Sequence, residues 1–192
     1  SLICRAALRL YGKVWNILLA LLGMGLRSLP ERLGIVEADM GKIRAICISE
    51  KRGTQKRSIP EAEFIEDWGI KGDAHAGKWH RQVSLLSYDK IQAFRSRGAE
   101  VEDGAFGENL VVEGFDFATL PVGTRFCCKD VVLELTQVGK ECHHGCVIFQ
   151  KMGDCIMPRE GVFTRVLKGG TIRVGDDLRI QAEEAGGSTD DL

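Results

Sequence analysis

Neither sign of charge prevails in this sequence: 26 Lys and Arg stand against 27 Asp and Glu, a formal net charge of −1. A dedicated nucleic-acid binder carries a clear basic excess, so no nucleic-acid partner is expected. Proline is scarce at four residues while glycine is plentiful at 23. That imbalance points to many turns and short strands rather than long helices. No uninterrupted apolar run reaches the roughly 20 residues that a membrane-spanning helix requires. There is no Walker A loop, no dinucleotide fingerprint, no internal repeat and no marked serine nucleophile. What remains is ordinary: 44% hydrophobic and 28% charged residues over 192 positions. Such a chain is neither wholly disordered nor fibrous, and its length suits one domain, with or without an appendage.

Seven cysteines without regular spacing fit poorly with a secreted disulfide scaffold. They imply a reducing, cytoplasmic setting, where thiols serve as small buried hydrophobes or as functional groups. Cys4, Cys47, Cys127 and Cys128 sit among apolar neighbours and belong to the first class. Cys142, Cys146 and Cys155 fall within fourteen residues of one another and belong to the second.

The chain divides near residue 40. Residues 1–30 hold Arg5, Arg9, Lys13 and Arg27 and no acid, while the most apolar run, Val14 to Leu26, is broken only by Asn16 and glycines. On a helix, Arg5, Arg9, Lys13 and Asn16 form one narrow polar stripe. A targeting segment, an interfacial helix touching a membrane and an accessory extension compete for this stretch, and the accessory extension is favoured over membrane contact. Residues 1–39 are therefore read as a helical, apolar extension with a linker, 40–182 as the domain, and 183–192 as an acidic flexible tail.

Within the domain, strand candidates run over 42–49, 83–87, 109–113, 124–128, 131–138, 171–174 and 177–180, with one short helix over 88–97 ended by Gly98. Turn signals separate nearly all of them. Many short strands with little helix between them indicate a mainly β fold, an antiparallel barrel or sandwich.

Three segments can carry chemistry. Gly69-Ile-Lys-Gly-Asp-Ala-His-Ala-Gly77, continuing to Gln82, surrounds a glycine-rich loop with Lys71, His75, Lys78, His80 and Arg81. An anionic group such as phosphate suits it; the plainer alternative is a turn whose charges face water. In Gly104-Ala-Phe-Gly-Glu-Asn-Leu110, Asn109 either reads a ligand with its amide or holds a turn. In Gly139-Lys-Glu-Cys-His-His-Gly-Cys146, leading to Cys155 and Arg159, cationic neighbours lower a thiol's pKa. The thiolate then carries sulfur, attacks an electrophile or ligates a soft metal. Cys142, His143 or His144, Cys146 and Cys155 offer a rival zinc set, although no Cys-x-x-Cys pair is present. A Cys142–Cys146 redox pair lacks the usual two-residue spacer.

Taken in order, these segments resemble the MOSC domain, the module at the C-terminus of molybdenum cofactor sulfurases and also found as small stand-alone bacterial proteins. The matching residues are Gly69-Ile-Lys-Gly-Asp73, Arg81 before the strand 83–87, Gly104-x-x-Gly-Glu-Asn-Leu110, Leu120-Pro-Val-Gly123, Gly139-Lys140 with Cys146, Met157-Pro-Arg-Glu-Gly-Val-Phe163 and Gly170-x-Ile-x-Val-Gly-Asp176. The resemblance covers residues 40–182 and implies a MOSC-type antiparallel β-barrel with a few short helices. It implies Cys146 as the reactive cysteine and metal ligand, with Cys142 and Cys155 as second choices. It implies a molybdenum cofactor (molybdopterin); by residue type and loop position, Lys71, His75 and Arg81 are assigned to its phosphate and Asn109 and Arg159 to the pterin. Two functions follow: a sulfur carrier to molybdenum or metal–sulfur centres, or a molybdenum–pterin oxidoreductase acting on N-hydroxylated small molecules. The carrier needs a cysteine desulfurase or molybdoenzyme as partner, and pyridoxal phosphate enters only through that desulfurase. The reductase needs a separate redox partner. A zinc-stabilised, non-enzymatic domain is the third reading.

Overall fold

The computed structural model describes residues 40–141 and 147–181. The expected extension over 1–39, the tail over 183–192, and Cys142 and Cys146 lie outside the described residues. β1 (Met40–Ile48) leads to β2 (Arg57–Ile59), β3 (Glu61–Ile65), β4 (Gly69–Ile70) and β5 (Val83–Ser87). Next come α1 (Tyr88–Arg95), β6 (Leu110–Glu113), a 3-10 turn at Phe117–Thr119, β7 (Arg125–Cys128) and β8 (Val131–Val138). The remainder is α2 (Val147–Met152), α3 (Met157–Glu160), β9 (Val162–Lys168), β10 (Gly170–Arg173) and β11 (Asp177–Ile180).

Among the described residues, seven strands close on themselves in the order β11-β7-β8-β9-β5-β6-β1, because β1 also pairs with β11. The fold is a mainly β barrel with short helices. β2 folds back on the end of β1, and β10, β3 and β4 form a separate small sheet. Alternation explains which side chains fill the barrel: Val83 and Leu85 of β5, Leu110 and Val112 of β6, and Leu133 and Leu135 of β8 point inward. On β1 a bulge between Ile43 and Ala45 shifts the phase by one residue. Ile43, Ile46 and Ile48 therefore all face the interior, while Ala45 and Cys47 face outward. Phe115, Phe117 and Phe126 pack their rings together inside, with centroids 5.4 to 5.9 Å apart.

The barrel is not wholly antiparallel. β5 and β6 run parallel, with Leu85 opposite Leu110. α1 and the long loop after it supply the crossover that parallel neighbours require. β9 also departs from the sequence reading, which placed no strand over 162–168. Val162 and Val166 line the barrel while Phe163 packs outside it, so both faces are apolar and no clean alternation marks the segment.

Leu86, Val111 and Phe163 on the barrel's outer face meet Ile91 and Phe94 of α1 and the Cys155-Ile-Met157 segment in a second apolar layer. This layer pins the stretch after α2 against the barrel. Cys47 and Cys128 are fully buried, and burial pushes their thiols up to about 12 and about 11 respectively, which keeps them inert. Among the described residues no helix is long and apolar enough to cross a membrane.

Candidate functional site

Asp73 is the hub of a buried polar cluster where the end of β1 meets the loop after β4. Its carboxylate accepts the Lys56 ammonium at 2.8 Å on each oxygen, the Ser49 amide at 2.9 Å and the His75 amide at 3.3 Å. The two charged side chains are 2% and 0% exposed. Burial raises the Asp73 carboxyl, but the hydrogen bonds from Lys56 and Ser49 outweigh it and hold the group below the ordinary carboxylate range. Burial likewise draws the Lys56 ammonium below its usual range, with Asp73 offsetting only part. The His75 ring stands beside this pair, its Nδ1 buried without a hydrogen-bond partner among the described residues and 3.7 Å from an Asp73 oxygen. Burial and the Lys56 charge hold that imidazole below its ordinary pKa, hence neutral.

Arg81 lies at the entrance to β5. Its guanidinium carbon lies 4.9 Å from the centroid of the Trp79 ring and 5.4 Å from that of Phe163, and its Nε is buried without a hydrogen-bond partner among the described residues. No carboxylate among the described residues forms a salt bridge with it. The same corner holds the end of β8. The Thr136 hydroxyl donates to the backbone carbonyls of His80 and Phe163, and the ring of His80 meets Gln137 at 3.0 Å. Beyond Gln137 come Gly139 and Lys140, tied to Gly161 and Pro158 by backbone hydrogen bonds of 2.7 and 3.2 Å. A guanidinium that no described carboxylate neutralises thus stands beside the strand end that leads in sequence to Cys142–Cys146.

A cleft of about 890 Å³ opens nearby. Lys140 and Ile148, which flank the undescribed cysteine stretch in sequence, both line it, together with Cys155, Phe106 and Met157. Gly104 forms part of its wall at a φ of +90°, and a Cβ there would stand 2.6 Å from the Lys56 carbonyl oxygen, so glycine is required. From beneath, the fully buried Glu108 carboxyl accepts the amides of Gly104 at 2.8 Å and Phe106 at 3.0 Å. Burial pushes Glu108 up to about 7, offset in part by those amides. Its ordinary value is 4.5, so between pH 4.5 and 7 the unfolded chain loses this proton before the folded one does. Stability is expected to fall as pH rises through that window, by roughly 3 kcal/mol for this group. Urea midpoints measured from pH 4.5 to 8 check it, and Glu108→Gln should flatten the decline.

Residues 72–179 match the MOSC domain family model, more than half of the chain. The chain belongs to the MOSC domain family. Solved structures agree at the level of fold. The YUAD protein of Bacillus subtilis superposes with a TM-score of 0.64 at 18% identity, covering 76% of this chain and 97% of that one. YiiM of Geobacillus stearothermophilus gives 0.57 at 16% identity over 76% and 77% of the two chains. YiiM of Escherichia coli gives 0.51 at 16%, over 76% and 70%. No curated protein matches the sequence.

Of the candidates read from the sequence, this MOSC domain places His75 and Arg81 with unpartnered buried nitrogens. Lys71, Asn109 and Arg159 are engaged within the protein, while Cys142 and Cys146 lie outside the described residues. The Lys71 ammonium sits 2.6 Å from Glu63, half-exposed on the small sheet. Asn109 is buried; its amide oxygen accepts from the Ser84 amide and hydroxyl, and its amide nitrogen donates to the Cys47 carbonyl at 2.9 Å. That geometry makes it a strap that ties the start of β6 to β1 and β5. Arg159 spans Asp154 with contacts of 2.9 and 3.3 Å, and Arg97 takes the same carboxylate. Cys155 is only 6% exposed and embedded in the outer apolar layer, with its edge on the cleft. Among the described residues, no three His, Cys, Asp or Glu side chains group closely enough to hold a metal. Sequence reasoning missed Lys56, Glu108 and Trp79. Nothing local marks Lys56, whose partner lies 17 residues away; Glu108 stood inside a motif that drew attention to Asn109.

Proposed function

We propose that this MOSC domain binds a phosphate-bearing molybdenum–pterin cofactor at the Arg81–His75 corner and handles sulfur through Cys146, as a carrier to molybdenum or metal–sulfur centres. One observation carries the reading: the Arg81 guanidinium lies over two aromatic rings, and among the described residues its Nε is buried without a hydrogen-bond partner and no carboxylate pairs with its charge. A buried donor left unpaired costs about 1–3 kcal/mol, a cost that an incoming anion relieves. His75 supplies a second unpaired nitrogen, and Lys140 adds positive charge close enough to act on that imidazole. With His75 as its Nδ1–H tautomer, these donors fit the phosphate of the cofactor. A soft thiolate ligand for the metal is left to Cys146, outside the described residues. When bound, the molybdenum centre supplies sulfur-transfer or redox chemistry; the chain's own part is to anchor the anion and present the thiolate. Sulfur would arrive from a cysteine desulfurase that holds its own pyridoxal phosphate, or pass on to a molybdoenzyme.

The cleft favours a second reading. A space of about 890 Å³ reached by Lys140 and Ile148 suits a small substrate, as a reductase of N-hydroxylated molecules would need. That reaction also requires an external electron donor.

Arg81→Gln is expected to lower the pterin content of protein purified from a cofactor-producing host by about 10-fold or more, since hydrogen bonds to charged groups contribute about 1.5–3 kcal/mol. Lys71→Gln, on the Glu63 side, should retain it. Pterin released and measured by fluorescence checks both. Equal pterin in Arg81→Gln and the unaltered chain would sink the anion-site assignment.

A further inference from the structure

Trp79 stands between the two residues assigned to the anion. Its indole N–H donates to the His75 carbonyl at 3.0 Å, and its ring face carries the Arg81 guanidinium at 4.9 Å. Its other neighbour, His80, meets it edge-on at 6.2 Å and is itself fastened to Gln137 of β8. The ring is 38% exposed, so it forms the rim of the corner rather than part of the core. An exposed large aromatic with its polar atom and its face both committed to site residues is poorly explained by packing alone.

We propose that Trp79 is a positioning residue for anion binding: it locks the plane of the Arg81 guanidinium and couples it to the His75 loop. This inference rests on the anion-site reading above. With the Trp79 and Phe163 ring centroids 4.9 and 5.4 Å from its central carbon, the guanidinium is confined before any ligand arrives. The hydrogen bond to the His75 carbonyl fixes the loop that carries the second donor. Free rotation of a surface arginine would otherwise be frozen at the moment of binding, at the expense of affinity.

The full chain is titrated with inorganic phosphate by calorimetry, at constant ionic strength with chloride as control. Trp79→Leu is expected to weaken phosphate binding about 5- to 30-fold, between the worth of an exposed cation–π contact and that of a desolvated one. Trp79→Phe, which keeps the stacking face and loses only the N–H donor, should recover most of it. A double-mutant cycle separates positioning from mere stability: Arg81→Lys should weaken binding in the unaltered chain but add little on top of Trp79→Leu. Phosphate bound by the unaltered chain, abolished in Arg81→Gln and unchanged in both Trp79 variants, would overturn this inference alone. No phosphate binding by the unaltered chain would overturn it together with the anion-site reading.

Discussion

Lys56→Met is expected to lower the unfolding free energy by about 3–5 kcal/mol, because it leaves the Asp73 carboxylate buried and without its counter-ion. Lys56 and Asp73 touch at 2.8 Å through both oxygens and are almost fully excluded from solvent. Removing two charges from water offsets much of their attraction, and both groups register it: burial pushes each toward its neutral form, and at Lys56 burial prevails. The pair therefore contributes less net stability than its geometry suggests, while breaking it is expensive. It follows that Lys56→Met combined with Asp73→Leu should recover a large part of the loss. The remainder reflects the Ser49 and His75 amides, which lose their acceptor. Urea denaturation of the three variants checks this. A cost below about 1 kcal/mol for Lys56→Met would mean that water reaches the carboxylate and that the pair is not excluded from solvent.

Gly139→Ala is expected to be nearly as damaging and to act on the site directly. Gly139 has a φ of +68°, and a Cβ there would run into the Pro158 carbonyl oxygen. The left-handed conformation alone costs an L-residue about 1–2 kcal/mol, and the clash adds about 1–3 kcal/mol if the neighbours cannot yield. Gly153 provides the control: its φ is +67°, yet a Cβ there would meet nothing within 4 Å. Gly153→Ala should thus show only the conformational part, and the difference in melting temperature between the variants isolates the clash. Pro158 accepts the Lys140 amide, so displacing its carbonyl also displaces Lys140 on the cleft wall. A Gly139 variant as stable as the Gly153 variant would show that the 156–161 segment gives way freely.

The fold was legible wherever one strand face is apolar and the other polar. β8 shows the pattern, with Val131, Leu133 and Leu135 inward and the half-buried Val132 and Glu134 between them. It was illegible in β9, where the outer apolar layer covers the second face and Phe163 is buried, as are its inward neighbours Val162 and Thr164. The parallel β5–β6 pair was equally hidden, because strand direction depends on where the crossover docks and leaves no mark on the strands themselves. At the site, residue type singled out His75 and Arg81, whose unpartnered nitrogens are visible only in three dimensions. Lys71 and Arg159 looked equivalent to them in sequence, but Glu63 and Asp154 claim their charges. Asn109 was legible as an important amide in a glycine-flanked turn, though its partners Ser84 and Cys47 lie 25 and 62 residues away.

The central claim is that Cys146 and the Arg81 corner together hold a molybdenum–pterin cofactor. The most direct measurement is metal and pterin content per chain, for protein purified from a host that makes the cofactor, beside Cys146→Ser. Near-stoichiometric molybdenum with pterin, the molybdenum lost in Cys146→Ser, is the expected result. One zinc per chain that persists in Cys146→Ser, with neither molybdenum nor pterin in the unaltered protein, would contradict the account.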